Sequence, residues 1–167
     1  FPIFDPTRET IFAKGISMKS VPRFNATDWA LILGASSGFG AACALELARR
    51  GMNVFGVHLD RQATMPAVDQ IVKEIRQSGS KAAFFNVNAA DAAKRTEVLE
   101  HIAKELAPSE SVKVLVHSLA FGTLKPFVAA KPEEMLNQSQ MEMTLDVMAH
   151  SLVYWTQGLV GRGLMKR

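Results

Sequence analysis

Gly34, Gly38 and Gly40, with Ser36 and Ser37 between the first two, are the residues whose types and spacing best suit a chemical task. A phosphate needs backbone N–H donors aimed at it, the positive end of a helix behind it and no Cβ atoms in its way. In such a cradle Gly34 lets the chain leave a strand, Gly38 permits close approach to a pyrophosphate, and Gly40 lets a helix pack near the strand. Ser36 and Ser37 add hydroxyl donors. The spacing is G-x-x-x-G-x-G, which differs from the G-x-G-x-x-G of the commonest dinucleotide fingerprint and lacks the Gly-Lys-Ser/Thr of a nucleoside triphosphate loop. Taken alone, the pattern also admits a purely structural turn.

The segments around the glycines decide between these readings. Trp29 to Leu33 is a short apolar run stopped by Gly34, which suits a strand buried on both faces. After the glycines, Ala44, Leu47, Ala48 and Gly51 fall on one helical face, with Gly51 placed as a C-terminal stop. The alternation continues. Asn53 to Val57 reads as a strand, Val68, Ile71, Val72 and Ile75 as a helix closing near Gly79, and Lys81 to Val87 as a third strand. Val98, Ile102 and Leu106 form a helical stripe, and Val112 to Ser118 a fourth strand. Met141, Leu145, Met148, Leu152, Trp155 and Leu159 then recur at steps of four and three, predicting one long helix with a broad apolar face.

Strands alternating with helices on short links predict an α/β fold, a doubly wound parallel sheet with helices on both faces. In such sheets ligands bind outside the carboxyl ends of the strands, where the strand order reverses. Gly34 follows the first strand and Ser118 ends the fourth, so their two loops are expected to line one crevice. Residues 1–25, with Pro2, Pro6 and Pro22 and no sustained period, read as an N-terminal extension; 26–167 reads as the dinucleotide-binding domain.

Composition narrows the classes. The chain has 167 residues, 48% apolar and 21% charged, with a net charge of +3, as expected of one globular domain. Its Lys and Arg are scattered, with no block dense enough for a nucleic-acid arm or a polybasic membrane anchor. The single cysteine, Cys43, lies within the Ala/Leu stretch and reads as a small buried thiol. No run approaches the ~18 apolar residues of a membrane span, and the N-terminus lacks a secretory pattern, so a cytoplasmic protein with no membrane or nucleic-acid partner is expected.

With those elements in place, the chain resembles the short-chain dehydrogenases/reductases over roughly Ala26 to Arg167. Their first turn, T-G-x-x-x-G-x-G, appears here as Leu33-Gly34-Ala35-Ser36-Ser37-Gly38-Phe39-Gly40, with Leu for the usual Thr. Asn88-Ala89-Ala90-Asp91 stands where the family has Asp-Val-Thr-Asp, so Asn88 would meet the adenine through a neutral amide. His117-Ser118-Leu119-Ala120 stands in place of Asn-Asn-Ala-Gly. The stretches VHSLAF and TLDVMAHSL are similar to the enoyl-acyl-carrier-protein reductase branch, although that branch commonly lengthens the first glycine turn.

The resemblance implies an NAD(P)-dependent oxidoreductase acting on a small-molecule or acyl-thioester substrate, and a homo-oligomer, since the family often assembles through the long helix. It places Gly34, Ser36, Ser37, Gly38, Phe39, Gly40, His58, Arg61, Asn88, Ala89, Ser118, Leu119 and Ala120 at the cofactor. His58 occupies the position of the usual ribose-binding carboxylate, with Asp60 and Arg61 behind it. The missing carboxylate and the nearby Arg61 favour NADP; Asp60 turned inward would favour NAD. Two other readings remain open on the residues, a non-catalytic dinucleotide sensor and an α/β assembly scaffold.

The family's catalytic chemistry has no carrier in this stretch. Its acid is a Tyr followed by Lys after three or six intervening residues; here the single Tyr154 is followed at those spacings by Gly158 and Gly161. Tyr154 therefore reads as a packing or interface residue, and Asp146 as structural. His101 and His150 lack zinc-ligand spacing, and His117 reads as a histidine bonded to backbone. The expectation is that the catalytic Ser, Tyr and Lys lie beyond Arg167, so that this chain alone is inactive.

Overall fold

A computed structural model describes residues 24–165, and most of the expected N-terminal extension lies outside the described residues. Four strands alternate with helices in chain order: β1 (Asp28–Leu33), α1 (Gly38–Arg49), β2 (Asn53–His58), α2 (Met65–Gln77), β3 (Ala82–Asn86), α3 (Ala92–Glu105) and β4 (Ser111–His117). A long loop leads to α4 (Gln138–Leu145), a π-helical turn over Asp146–His150 and α5 (Ser151–Gly161). All strand pairs are parallel and the sheet order is β3-β2-β1-β4. The chain steps outward from β1 to β3, then crosses back to place β4 on the other side of β1. The order therefore reverses between β1 and β4, as expected.

The central strands β1 and β2 are buried because both of their faces are covered. Odd-numbered Trp29, Leu31, Leu33, Phe55 and Val57 pack with Val98, Leu99 and Ile102 of α3 and Trp155 and Leu159 of α5. Even-numbered Ala30, Ile32 and Val54 pack with Ala44 and Ala48 of α1 and Ile75 of α2. This alternation follows from the two-residue period of a strand. Trp29 and Phe55 stack with centroids 4.0 Å apart. Gly56 faces Phe84, whose ring an added Cβ would meet at 2.7 Å.

The last helical segment corrects an expectation. The spacing from Met141 to Leu159 predicts one long helix with a broad apolar face; the segment is instead broken at Asp146–His150, and of that stripe only Trp155 and Leu159 are buried, at 0% exposure. Met141, Leu145, Met148 and Leu152 remain 37–45% exposed. A π turn takes in an extra residue, and one residue is about 100° of helical rotation, so α4 and α5 cannot present one continuous face. Beyond α5 the chain returns to the sheet. The Val112 N–H donates to the Leu164 carbonyl at 2.9 Å, and Met165 forms a parallel bridge to Val112, beside the outer edge of β4.

Candidate functional site: the cradle at the strand ends

The β1–α1 turn is built by close backbone approach. Gly34 has φ +87°, and its N–H and that of Ala35 both donate to the Val57 carbonyl, at 2.8 and 3.0 Å. On the other side the Ser118 N–H donates to the Leu33 carbonyl at 2.8 Å. A Cβ on Gly34 would collide with the Ser118 carbonyl, and one on Gly40 with the Gly34 carbonyl. The glycine turn and the post-β4 loop therefore meet, and Gly34, Gly40 and Ser118 form one side of the crevice.

Gly38 differs. Its φ is +54° and an added Cβ would meet nothing within 4 Å, so the space in front of it is open. Ser37 is the N-cap of α1, yet no side chain caps the helix, and its first turn contains no acidic residue. The first N–H groups of a helix have no intrahelical partner; here no side chain caps them, and the positive end of the helix dipole lies at this turn. Phe39 is 88% exposed on this first turn. The donor set and the missing Cβ suit a pyrophosphate.

At the end of β2, His58 is buried, its Nδ1 2.9 Å from Asp60 Oδ2. Asp60 also accepts from the Thr64 hydroxyl at 2.8 Å and from the Ser36 hydroxyl of the glycine turn. The Ser36 hydrogen bond lowers the Asp60 carboxyl below its ordinary range, and Thr64 and His58 add to this against the opposing effect of burial. Asp60, rather than His58, thus brings charge to the cradle, because the His58 ring is turned into the layer beside Phe84. Arg61 is exposed.

A depressed folded-state value means that the ionised carboxylate stabilises the fold above the unfolded value and that this contribution is lost as pH falls through the folded value. Asp60→Asn is expected to cost roughly 1–2 kcal/mol near neutral pH, from hydrogen bonds to a charged acceptor. The difference from the unsubstituted chain should shrink as pH falls below about 4. Urea midpoints at pH 7 and pH 3 check this; an equal difference at both would contradict it.

The remaining site residues divide. Asn88 is exposed and its side-chain oxygen accepts the Ala90 N–H at 3.0 Å, holding the turn after β3. Ala89 is buried and its carbonyl accepts the Trp155 indole N–H at 2.9 Å, so it supports the site from below. Ser118 and Leu119 are half-buried and Ala120 is exposed. His117 Nε2 lies 2.8 Å from Ser151 Oγ, and that hydroxyl donates to the Val147 carbonyl at 2.6 Å. Ser151 therefore accepts from a His117 Nε2–H, tying β4 to the π turn. Burial lowers the His117 ring below its ordinary value, with the Val147 and His117 backbones acting the other way.

Tyr154 is 41% exposed, with the Arg95 guanidinium 5.1 Å from its ring centroid. Asp146 lies in the π turn, 3.6 Å from His150. Among the described residues no group of three His, Cys, Asp or Glu could hold a metal, and no helix is long and apolar enough to cross a membrane. Sequence reasoning missed Asn86 and Thr64 as partners of Asp60, and Ser151 as the partner of His117. The available signal was the polar Asn86 at a strand end in a parallel sheet.

A parallel sheet flanked by helices, with an uncapped glycine-rich helix start at its switch point, defines a doubly wound α/β domain, a class whose ligands bind outside the carboxyl ends of the strands. The particular family is shown by comparison: the short chain dehydrogenase family matches residues 28–166, and the chain belongs to it. It is 36% identical over 84 residues to a cyclohexanol dehydrogenase of Rhodococcus sp. (strain TK6), covering 46% of this chain and 31% of that protein. It is 43% identical over 70 residues to the very-long-chain 3-oxooacyl-coA reductase let-767 of Caenorhabditis elegans, covering 39% and 21%. A solved 3-oxoacyl-[acyl-carrier protein] reductase of Brucella melitensis in complex with NAD has the same fold, with TM-score 0.65 and 22% identity, covering 84% of this chain and 51% of that one. The chain thus spans less than two thirds of the relatives it matches.

Proposed function

We propose that this chain is the NAD(P)-binding part of an oxidoreductase that moves a hydride between a nicotinamide cofactor and a carbonyl or enoyl acyl thioester. The observation that carries the reading is the open space at Gly38 in front of an uncapped helix start. Gly34, Gly38 and Gly40 would admit the pyrophosphate, and Ser36 and Ser37 would add hydroxyl donors. Ser118, Leu119 and Ala120 would border the nicotinamide, while Asn88 would lie at the adenine. The cofactor supplies the hydride chemistry; these residues bind and orient it.

The substrate class is supported by the likeness to the let-767 3-oxooacyl-coA reductase and the Brucella melitensis 3-oxoacyl-[acyl-carrier protein] reductase and by the VHSLAF stretch. We assign a cytoplasmic homo-oligomer. The exposed Met141, Leu145, Met148 and Leu152 fit assembly through the α4–α5 segment.

The test is titration of the chain with NADH and NADPH, followed by nicotinamide fluorescence. Saturable binding of at least one dinucleotide is expected. Gly38→Asp should weaken it at least about tenfold, because a carboxylate is placed against the pyrophosphate, with the circular dichroism spectrum unchanged. Failure of the unsubstituted chain to bind either dinucleotide would overturn the reading.

A further inference from the structure

The turn after β2 is held more firmly than its exposure suggests. Leu59 is 69% exposed and Arg61 is exposed, yet Asp60 between them is fixed at both backbone and side chain. Asn86, paired with His58 in the β2–β3 register, accepts the Asp60 N–H on Oδ1 at 2.9 Å and donates from Nδ2 to the Asp60 carbonyl at 2.9 Å. A planar carboxamide is the side chain that supplies one acceptor and one donor side by side. The Asp60 carboxylate, with its side chain 15% exposed, then takes His58 on Oδ2, Thr64 on Oδ1, and Ser36 from the glycine turn.

We propose that Asn86 is a positioning residue for dinucleotide choice: by gripping the Asp60 backbone from the neighbouring strand, it aims the Asp60 carboxylate at the Ser36 side of the cradle, selecting NAD over NADP. An ionised carboxylate offers about four acceptor sites, so three protein donors leave capacity for a ribose hydroxyl. A 2′-phosphate in the same place would meet a fixed like charge, which is costly where water is partly excluded. A loosely held Asp60 could swing away and let Arg61 meet that phosphate; the Asn86 grip opposes this. The side-chain partners divide the work, with His58 and Thr64 bracing the carboxylate while Asn86 fixes the backbone that carries it. This rests on the dinucleotide-binding reading above, and it reverses the NADP preference expected from Arg61.

The test measures dissociation constants of the full chain for NADH and for NADPH separately. The unsubstituted chain should bind NADH at least about tenfold more tightly, as like-charge juxtaposition predicts. Asn86→Ala should bring the two constants to within about threefold, chiefly by weakening NADH and admitting NADPH, in line with the loss of two hydrogen bonds. Asn86→Asp, which keeps the acceptor for the Asp60 N–H but sets an oxygen against the Asp60 carbonyl, should do the same. Asp60→Asn should erase the preference. A merely structural role for Asn86 would weaken both dinucleotides equally and leave the ratio intact, which overturns the proposal, as does a preference for NADPH in the unsubstituted chain. Binding of neither dinucleotide would overturn the underlying reading as well, so the two failures are distinguishable.

Discussion

Gly40→Ala is expected to lower the melting temperature by roughly 6–12 °C, about 3 kcal/mol for a chain of this size. The methyl group would be driven into the Gly34 carbonyl and within 3.3 Å of the Ser118 side chain. The first obstacle is backbone, so no rotamer change relieves it. Relief requires α1 to lift from the turn, yet Ala44 and Ala48 on the same helix are fully packed against β1 and β2. Gly38→Ala provides the contrast. Its methyl group meets open space and the cost is confined to the positive φ, about 1 kcal/mol. Thermal unfolding of the two variants side by side checks the difference; equal melting temperatures would mean that the close approach at Gly40 is not a structural requirement.

Trp155→Ala is expected to cost about 3–5 kcal/mol, the range for removing a buried aromatic side chain. Trp155 is fully buried in the cluster that joins α3, α5 and the odd-numbered face of the sheet. Its indole N–H also satisfies the Ala89 carbonyl at 2.9 Å. Against a typical total stability of about 5–15 kcal/mol, this loss would take a large share. Trp155→Phe separates the two contributions: it keeps much of the ring and forfeits the hydrogen bond, so about 1–2 kcal/mol is expected. Because Ala89 follows β3 beside the expected adenine end, dinucleotide affinity should fall with Trp155→Phe while the far-ultraviolet circular dichroism stays unchanged. Chemical unfolding followed by circular dichroism measures the stability differences; a Trp155→Ala variant as stable as the parent would show that α5 docks without this side chain.

The alternation of strands and helices was legible because each element has its own period. The apolar runs at Trp29–Leu33 and Asn53–Val57 could be buried only between two helical layers, and both are. Gly34 and Gly40 were legible as a turn because residues without Cβ atoms mark close backbone approach, and carbonyl oxygens do lie where their Cβ atoms would go. The helix after the post-β4 loop was less legible. Steps of four and three continue through Met148, but a π turn leaves no distinctive mark in an apolar pattern, and Asp146–His150 adopts one.

The sequence by itself determined the order of elements, the parallel sheet and the placement of a glycine cradle at a strand end, since these follow from local periodicity and from what a Cβ forbids. Only the tertiary structure decided which side chains meet at that cradle. His58, Asp60 and Arg61 are neighbours in the chain, and spacing cannot say which one turns inward. Asn86 decides it from another strand, through two hydrogen bonds to the Asp60 backbone, while Ser36 and Thr64 complete the hold on the carboxylate. The same holds for His117, whose partner Ser151 arrives from α5. Long-range hydrogen bonds depend on how strands and helices are laid against one another, and local pattern carries no record of that.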